Sequence, residues 1–438
     1  MGDATRTGLT RAGIGRGDHV LVFGALAPEL YGALLGAMSL GATCVFVEPW
    51  MPVARLDVLI TRLAPKAFLC DLMGRLWGLR SAGVRRIPQK INLRRLIRGG
   101  TADNFVCDRV APETAAMIAF TSGTTGAPKG VVRSHGYLTD LVQILDQHLH
   151  LSRDSGADLC IFANFTLLNL ALGKTTLLIG PRWSRSVLEK VARLEGPLAP
   201  TSLTCGPAFL SVLLDAEIKL PLRSVHVGGA LTDCALFERA FTTFPATEFL
   251  HVYGSSEAEP VAVGDARPCV AASRAAGFFQ TVHVGRPIPE IAHEARSDGL
   301  WVAGPNVCPG YAMPGATLEG KDRDGTGRWW HHMGDRMETC PDGSWQYGGR
   351  AQQSAEDFAL EQSIYTTLES SAAFIYRSPS GARYLVGENL NGRKAEMAAR
   401  FPTLTDVIPV RRVHRDRRHR ARIDRVATLK KEASWLLG

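Results

Sequence analysis

Short apolar runs alternate with segments whose apolar positions follow helical spacing through the first part of the chain. His19-Val-Leu-Val-Phe23 predicts a strand, Leu26 to Leu40 a helix, and Thr43-Cys-Val-Phe-Val47 a second strand. A helical pattern around Leu56 to Leu63 then leads to the apolar run Ala67-Phe-Leu-Cys70. Repeated strand–helix units of this kind imply parallel strands covered by helices. The texture returns in the middle, with strands at Ser224–Gly228 and Glu248–Tyr253 and a helix from Thr232 to Phe241 between them. From Gly299 the pattern changes to short strands and tight turns, among them Asp298-Gly299, Pro341-Asp-Gly343 and Gly348-Gly349, which predicts a small antiparallel β module. Beyond Arg350 the patterning weakens and reads as a compact α+β appendage. The expected fold class is therefore α/β, with a large multi-sheet N-terminal domain over 1–350 and a small α+β C-terminal domain over 351–438. A chain of 438 residues exceeds one ordinary core, which agrees with that division.

Composition narrows the class. Hydrophobic residues make up 45% of the chain, and mean hydropathy is close to zero. The apolar stretch from Val20 to Val47 is broken by Glu29 and several glycines, so no membrane span is expected. Met1-Gly-Asp-Ala-Thr-Arg-Thr7 lacks the apolar core of a signal peptide, and Arg6 stands where a myristoylation pattern wants Ser or Thr. A cytoplasmic location is expected by default. The nine cysteines are scattered from Cys44 to Cys340 with no C-x-x-C pair, which points to reduced thiols rather than disulfides or zinc. The net charge of +8 is modest, and the dense basic run lies at Arg411–Arg425, with the remainder nearly neutral. That run carries no stacking aromatics, which disfavours nucleic acid as a partner.

The candidate chemistry starts at Thr121-Ser122-Gly123-Thr124-Thr125-Gly126-Ala-Pro-Lys129-Gly130, directly after the apolar run Ala115–Phe120. Hydroxyls and glycines let a backbone wrap closely around phosphate oxygens, and one lysine supplies a mobile positive charge. The loop is not a Walker A motif, because Pro128 and Gly130 stand where that pattern requires Gly and Ser or Thr. It resembles the phosphate-binding motif of the adenylate-forming superfamily, which includes acyl-CoA synthetases, luciferases and peptide-synthetase adenylation domains.

Five further stretches follow in the order that superfamily requires. His226-Val-Gly228-Gly229-Ala230 resembles the turn that lies against adenine and the acyl pocket. Tyr253-Gly254-Ser255-Ser256-Glu257 resembles the motif whose aromatic ring stacks on adenine, whose hydroxyl contacts the adenylate phosphate and whose glutamate holds Mg2+. Val284-Gly-Arg-Pro-Ile-Pro289 is similar to a structural landmark. Trp330-His-His-Met-Gly-Asp335 resembles the motif whose aspartate binds both ribose hydroxyls, a task suited to a carboxylate that accepts two hydrogen bonds. Tyr347-Gly-Gly-Arg350 resembles the motif whose arginine reaches ribose or phosphate. The resemblance implies an adenylating N-terminal domain, ATP and Mg2+ as cofactors, Lys129 steering the departing pyrophosphate and Glu257 as the metal ligand. A small-molecule carboxylic acid becomes an acyl-adenylate.

Several segments resemble the β-lactone synthetase branch of olefin biosynthesis. They are Phe162–Gly173, Glu257-Ala-Glu-Pro-Val-Ala262, Trp330–Asp335 and Asp416–Arg425. That branch implies a β-hydroxy acyl substrate whose own hydroxyl expels AMP, with CoA not required, and neighbouring enzymes of the same pathway as partners. Fatty or other acyl-CoA ligation is the alternative, and a non-catalytic nucleotide- or acyl-binding paralogue is the alternative of another class. Two departures motivate the latter. Arg422, in Ala421-Arg-Ile-Asp-Arg425, stands where the family's lid domain carries its catalytic lysine, with Lys430 and Lys431 off the motif. Ala351-Gln-Gln-Ser-Ala-Glu-Asp357 also replaces the usual hinge, and the segment ahead of Gly17-Asp18 is short for the family.

Overall fold

A computed structural model describes residues 2–47, 49, 51–97, 106–121, 129–153, 156–180, 183–312, 320–416 and 422–437. Two sheets dominate. The first has six strands in the order Gln89–Asn92, Ala67–Cys70, His19–Phe23, Thr43–Phe46, Ala115–Thr121, Lys129–Ser134. Its first five strands are parallel and the last is antiparallel. Val20 lies between Cys44 and Ala67 in register. The second sheet orders Arg286–Pro287, Ala258–Asp265, Glu248–Ser255, Ser224–Gly228, Pro200–Cys205, Ala157–Cys160 and Thr176–Leu178. It is parallel from Glu248–Ser255 onward and closes with an antiparallel edge. Val20, Leu21, Val45, Leu203, Val225 and Val227 are fully buried, as strands covered by helices on both faces require.

The β module is a four-stranded antiparallel sheet of Ala292–Arg296, Gly299–Ala303, Trp329–His332 and Lys321–Arg323. It is followed by the hairpin Asp335–Thr339 with Trp345–Arg350. The C-terminal segment forms a three-stranded sheet, Ala373–Arg377, Arg383–Gly387 and Asp406–Pro409, packed with the helix Ala355–Leu368. The α/β class with a β module and an α+β appendage matches the expectation from sequence.

Boundaries moved where tertiary contacts intervened. The first long helix spans Pro28–Ser39, starting at a proline whose fixed φ suits the first helical position. The helix expected from Thr232 starts only at Cys234. Thr281 N–H donates to the Thr232 carbonyl, and Asp233 forms a bridge with Gln280, so these two residues are held extended. The strand expected at Glu248–Tyr253 runs on to Ser255, with an irregularity between Tyr253 and Ser255 where it turns back to pair with Ala258.

The interior also holds ionisable groups. Fully buried Asp158 accepts from Asn169 Nδ2 at 2.8 Å and Ser202 Oγ at 2.9 Å. His226 Nδ1 lies 3.2 Å from Thr204 Oγ1. Burial pushes the pKa of His226 down, and that of His251 down to about 4. The unfolded chain, with histidines near 6.5, then binds more protons than the native one below that pH. Stability is therefore expected to fall as pH drops from 6.5 toward 4. Between pH 7 and 5 the loss is on the order of 2 kcal/mol for His251. Thermal unfolding across that window checks this, and His251→Gln flattens the slope; an unchanged slope would contradict the assignment.

Candidate active site

Parallel neighbours in the second sheet place two of the glycine-containing turns side by side. Gly228 pairs with Val252 in register, so Gly228-Gly229-Ala230 and Tyr253-Gly254-Ser255-Ser256 leave the same sheet edge, at the carboxyl ends of their strands. Gly229 has φ +86°, a conformation side-chain-bearing residues seldom adopt. A Cβ on Gly254 would meet the Ala258 carbonyl at 2.8 Å, so the tight turn before Glu257 requires glycine there.

The hairpin brings the next two residues together. Asp335 and Arg350 are Cα partners across its strands. Asp335 is 5% exposed, and its Oδ2 accepts from Tyr253 O–H at 2.6 Å. Arg350 Nη1 lies 2.9 Å from Asp335 Oδ1. That contact is an ion pair without hydrogen-bond alignment, which leaves Oδ1 with acceptor capacity. Burial, reinforced by the Asp335 charge, pushes the Tyr253 phenol far up, so it stays a donor at any working pH. Asp335 in turn raises the Arg350 guanidinium.

Arg422 arrives from the other end of the chain. Its Nε donates to the Gly229 carbonyl at 2.9 Å, a contact between residues 193 positions apart. Paired hydrogen bonds hold its backbone, Arg422 N–H to Asp416 Oδ1 at 2.9 Å and Asp416 N–H to the Arg422 carbonyl at 2.8 Å. Arg422 keeps solvent contact although protein surrounds much of it. Partial loss of hydration first, and the Arg350 charge second, lower its pKa while leaving it cationic. Lys430 and Lys431 lie exposed on the helix Arg425–Glu432, whereas Arg422 reaches the Gly229 turn.

The docking that permits this contact is explicit. Gln362 exchanges two hydrogen bonds with Gln280, each 3.1 Å, and Ser371 Oγ donates to Asp233 Oδ2 at 3.0 Å. Phe279 packs into the C-terminal core with Ile364 and Tyr365. The segment after Arg350 is tied to the hairpin as well, since Ala351 N–H donates to the Gly334 carbonyl at 3.0 Å.

Glu257 sits at a second focus. Its Oε1 accepts from Tyr311 O–H at 3.3 Å, and its carbonyl accepts from Cys308 N–H at 2.8 Å. Buried Arg133 donates through Nη2 to the Ser256 carbonyl at 3.1 Å. Val131 bridges Tyr311, and Ala312 N–H donates to the Gly130 carbonyl at 2.7 Å, so the strand after the phosphate loop is fastened to the segment that touches Glu257. Ser122, Gly123, Thr124, Thr125 and Gly126 lie outside the described residues, and of Thr121 and Lys129 only the backbone is described. Those two are Cα partners at the base of the loop.

Among the described residues no group of three metal-ligating side chains occurs. The Glu257 carboxylate is the hard oxygen donor that Mg2+ takes. Arg133 and Tyr311 were not singled out in the sequence. Neither stands in a recognisable motif position, and only strand pairing carries them to the Ser256–Glu257 turn.

Phe162 stands beside the Gly228 turn. A Cβ placed on Gly206 would lie 3.5 Å from the Gly228 carbonyl and 3.6 Å from Phe162 Cζ. The ring of Phe162 therefore overhangs the Gly206–Gly228 floor.

The AMP-binding enzyme family matches residues 3–312, most of the chain, and the protein belongs to that family of ATP-dependent, AMP-forming ligases and synthetases. It is 28% identical to the olefin beta-lactone synthetase of Xanthomonas campestris pv. campestris over 375 residues, covering 76% of this chain and 67% of that one. It is 27% identical to the olefin beta-lactone synthetase of Stenotrophomonas maltophilia over 395 residues, covering 81% and 71%. Among solved structures, the amide bond synthetase McbA from Marinactinospora thermotolerans superimposes with a TM-score of 0.80 at 21% identity, covering 98% of this chain and 92% of that one. That last likeness concerns the fold.

Proposed function

We propose that the protein activates a β-hydroxy carboxylic acid with ATP and closes it to a β-lactone. A carboxylate oxygen attacks the α-phosphorus, the bond from that phosphorus to the α–β bridging oxygen breaks, and pyrophosphate leaves. The β-hydroxyl oxygen of the acyl-adenylate then attacks its own carbonyl carbon. The hydroxyl proton is lost, the bond from that carbon to the AMP oxygen breaks, and AMP departs. Intramolecular attack carries a high effective concentration, so no thiol acceptor is needed.

The observation that carries this reading is the convergence of Gly229, Tyr253, Asp335, Arg350 and Arg422 from distant parts of the chain onto one cleft edge. Asp335, through its available acceptor capacity, takes the ribose hydroxyls, and Arg350 holds it in place. Tyr253 presents its ring to adenine, and Ser255 and Ser256 face the α-phosphate. Gly228, Gly229 and Ala230 form the floor between adenine and acyl group, and Arg422 offers positive charge to the reacting carboxylate and phosphate. Lys129 and the hydroxyls of Thr121–Thr125 serve the departing pyrophosphate. Mg2+, when bound at Glu257, offsets charge on the phosphates. In this reading residues 1–350 are the adenylating domain, 351–438 its lid, and the reaction takes place in the cytoplasm. The relatives' printed names support the lactone-forming branch.

Incubation with ATP and a panel of 3-hydroxy acids, with and without CoA, tests the proposal. AMP and pyrophosphate should form without CoA, with a product lighter than the acid by one water. Strict dependence on CoA would replace the lactone step by thioester formation. Nucleotide binding with no AMP from any acid would identify a non-catalytic paralogue.

A further inference from the structure

The helix Leu72–Gly78 and the residues just after it turn apolar side chains outward. Leu72, Met73, Leu76 and Leu79 are each 55% to 69% exposed. A folded domain has no packing reason to crowd four large apolar groups into about two exposed turns. Val58 is exposed on the preceding helix, Val53–Leu63, and Leu26 on the loop joined to this site through Ala25 N–H and Asp71.

The surrounding charge is one-sided. From Leu72 to Arg98 the sequence holds seven arginines and one lysine and no Asp or Glu. This segment alone carries a charge equal to that of the whole chain, so the near-neutrality expected outside the C-terminal run is an average over opposed regions. Arg75, Arg80, Arg85, Arg86, Lys90, Arg94 and Arg95 are exposed. The neighbouring acids are engaged by the fold. Asp57 accepts from Ser81 and Gly83, and Asp71 accepts from Gly74 and Ala25. Trp77 is no stacking platform for bases, since it lies between Phe23, at a centroid distance of 4.2 Å, and the Arg80 guanidinium.

We propose that this face is a docking surface for an anionic lipid bilayer, with the leucines and Met73 entering the interface and the arginines meeting phosphate headgroups. Apolar groups ringed by arginine suit a surface that is negative outside and hydrocarbon beneath. No helix among the described residues is long and apolar enough to cross a membrane, so the attachment is peripheral. The placement is functional. Leu72 follows the strand Ala67–Cys70, three positions across the first sheet from Ala115–Thr121, whose carboxyl end begins the phosphate loop. Strands spaced roughly 4.8 Å apart put the patch some 14 Å sideways from that loop, along the same sheet edge. An acid dissolved in the bilayer would be delivered next to the cleft.

Vesicle co-sedimentation of the full chain tests the surface independently of catalysis. Phosphatidylcholine vesicles are compared with vesicles containing phosphatidylglycerol, for the wild type, for Met73→Gln/Leu76→Gln and for Arg75→Gln/Arg85→Gln/Arg86→Gln. Binding is expected only with the anionic lipid, at least tenfold weaker in either variant, and reduced by salt. Unchanged melting temperatures verify that the variants fold, and unchanged AMP formation from a water-soluble acid separates this outcome from failure of the proposed reaction. Equal sedimentation of wild type and variants, or none with any vesicle, overturns the proposal. So does a dimer, or a nucleic-acid complex, that the same substitutions abolish.

Discussion

Arg422→Ala is expected to slow acyl-adenylate formation by about 10²- to 10³-fold, the usual effect of removing one preorganised charge from a reacting centre. The guanidinium reaches the Gly229 carbonyl from the C-terminal segment. Its neighbour Arg350 is committed to Asp335 and cannot take over. The Gln280–Gln362 and Asp233–Ser371 docking bonds do not involve the Arg422 side chain, so the variant should keep its fold and its melting temperature. Arg422→Lys keeps the charge but loses the planar fork, and should retain activity within roughly tenfold of wild type. Carboxylate-dependent pyrophosphate exchange reads both. An Ala variant at the wild-type rate would show that the arginine plays no part in the reaction.

Asp335→Ala should weaken nucleotide binding by roughly 10²-fold, as expected for losing two hydrogen bonds to a charged acceptor. It also leaves the Tyr253 hydroxyl and the Arg350 guanidinium without their shared partner. Because the Arg350 side chain is about 42% exposed, solvent takes up part of that loss. The stability cost is therefore on the order of 1–3 kcal/mol, less than for a fully buried pair. Asp335→Asn keeps an acceptor for Tyr253 and should restore stability while leaving the nucleotide weakly bound. Calorimetry with ATP, set beside melting temperatures, separates the two effects. Wild-type affinity in the Asn variant would remove the carboxylate from ribose recognition.

The strands around Val20, Val45 and Val225 were legible because buried parallel strands read as continuous apolar runs. The Tyr253–Glu257 turn was legible because its glycine is a local necessity of so tight a turn. The start of the helix at Cys234 was not, since Thr232 and Asp233 are held extended by Thr281 and Gln280, nearly fifty residues downstream. Arg133 and Tyr311 escaped notice for the same reason. An arginine inside Val-Val-Arg-Ser reads as an ordinary strand position until pairing sets it against the Ser256 carbonyl.

By itself the sequence determined the α/β class and the membership of the AMP-binding family, because both are written in residues adjacent along the chain. Only the tertiary structure decided that Arg422 reaches Gly229, that Tyr253 and Arg350 share one buried carboxylate, and that Leu72, Met73 and Leu76 face outward among arginines. Those outcomes depend on which surfaces dock, and docking is set by shape and charge between segments that sequence proximity does not relate.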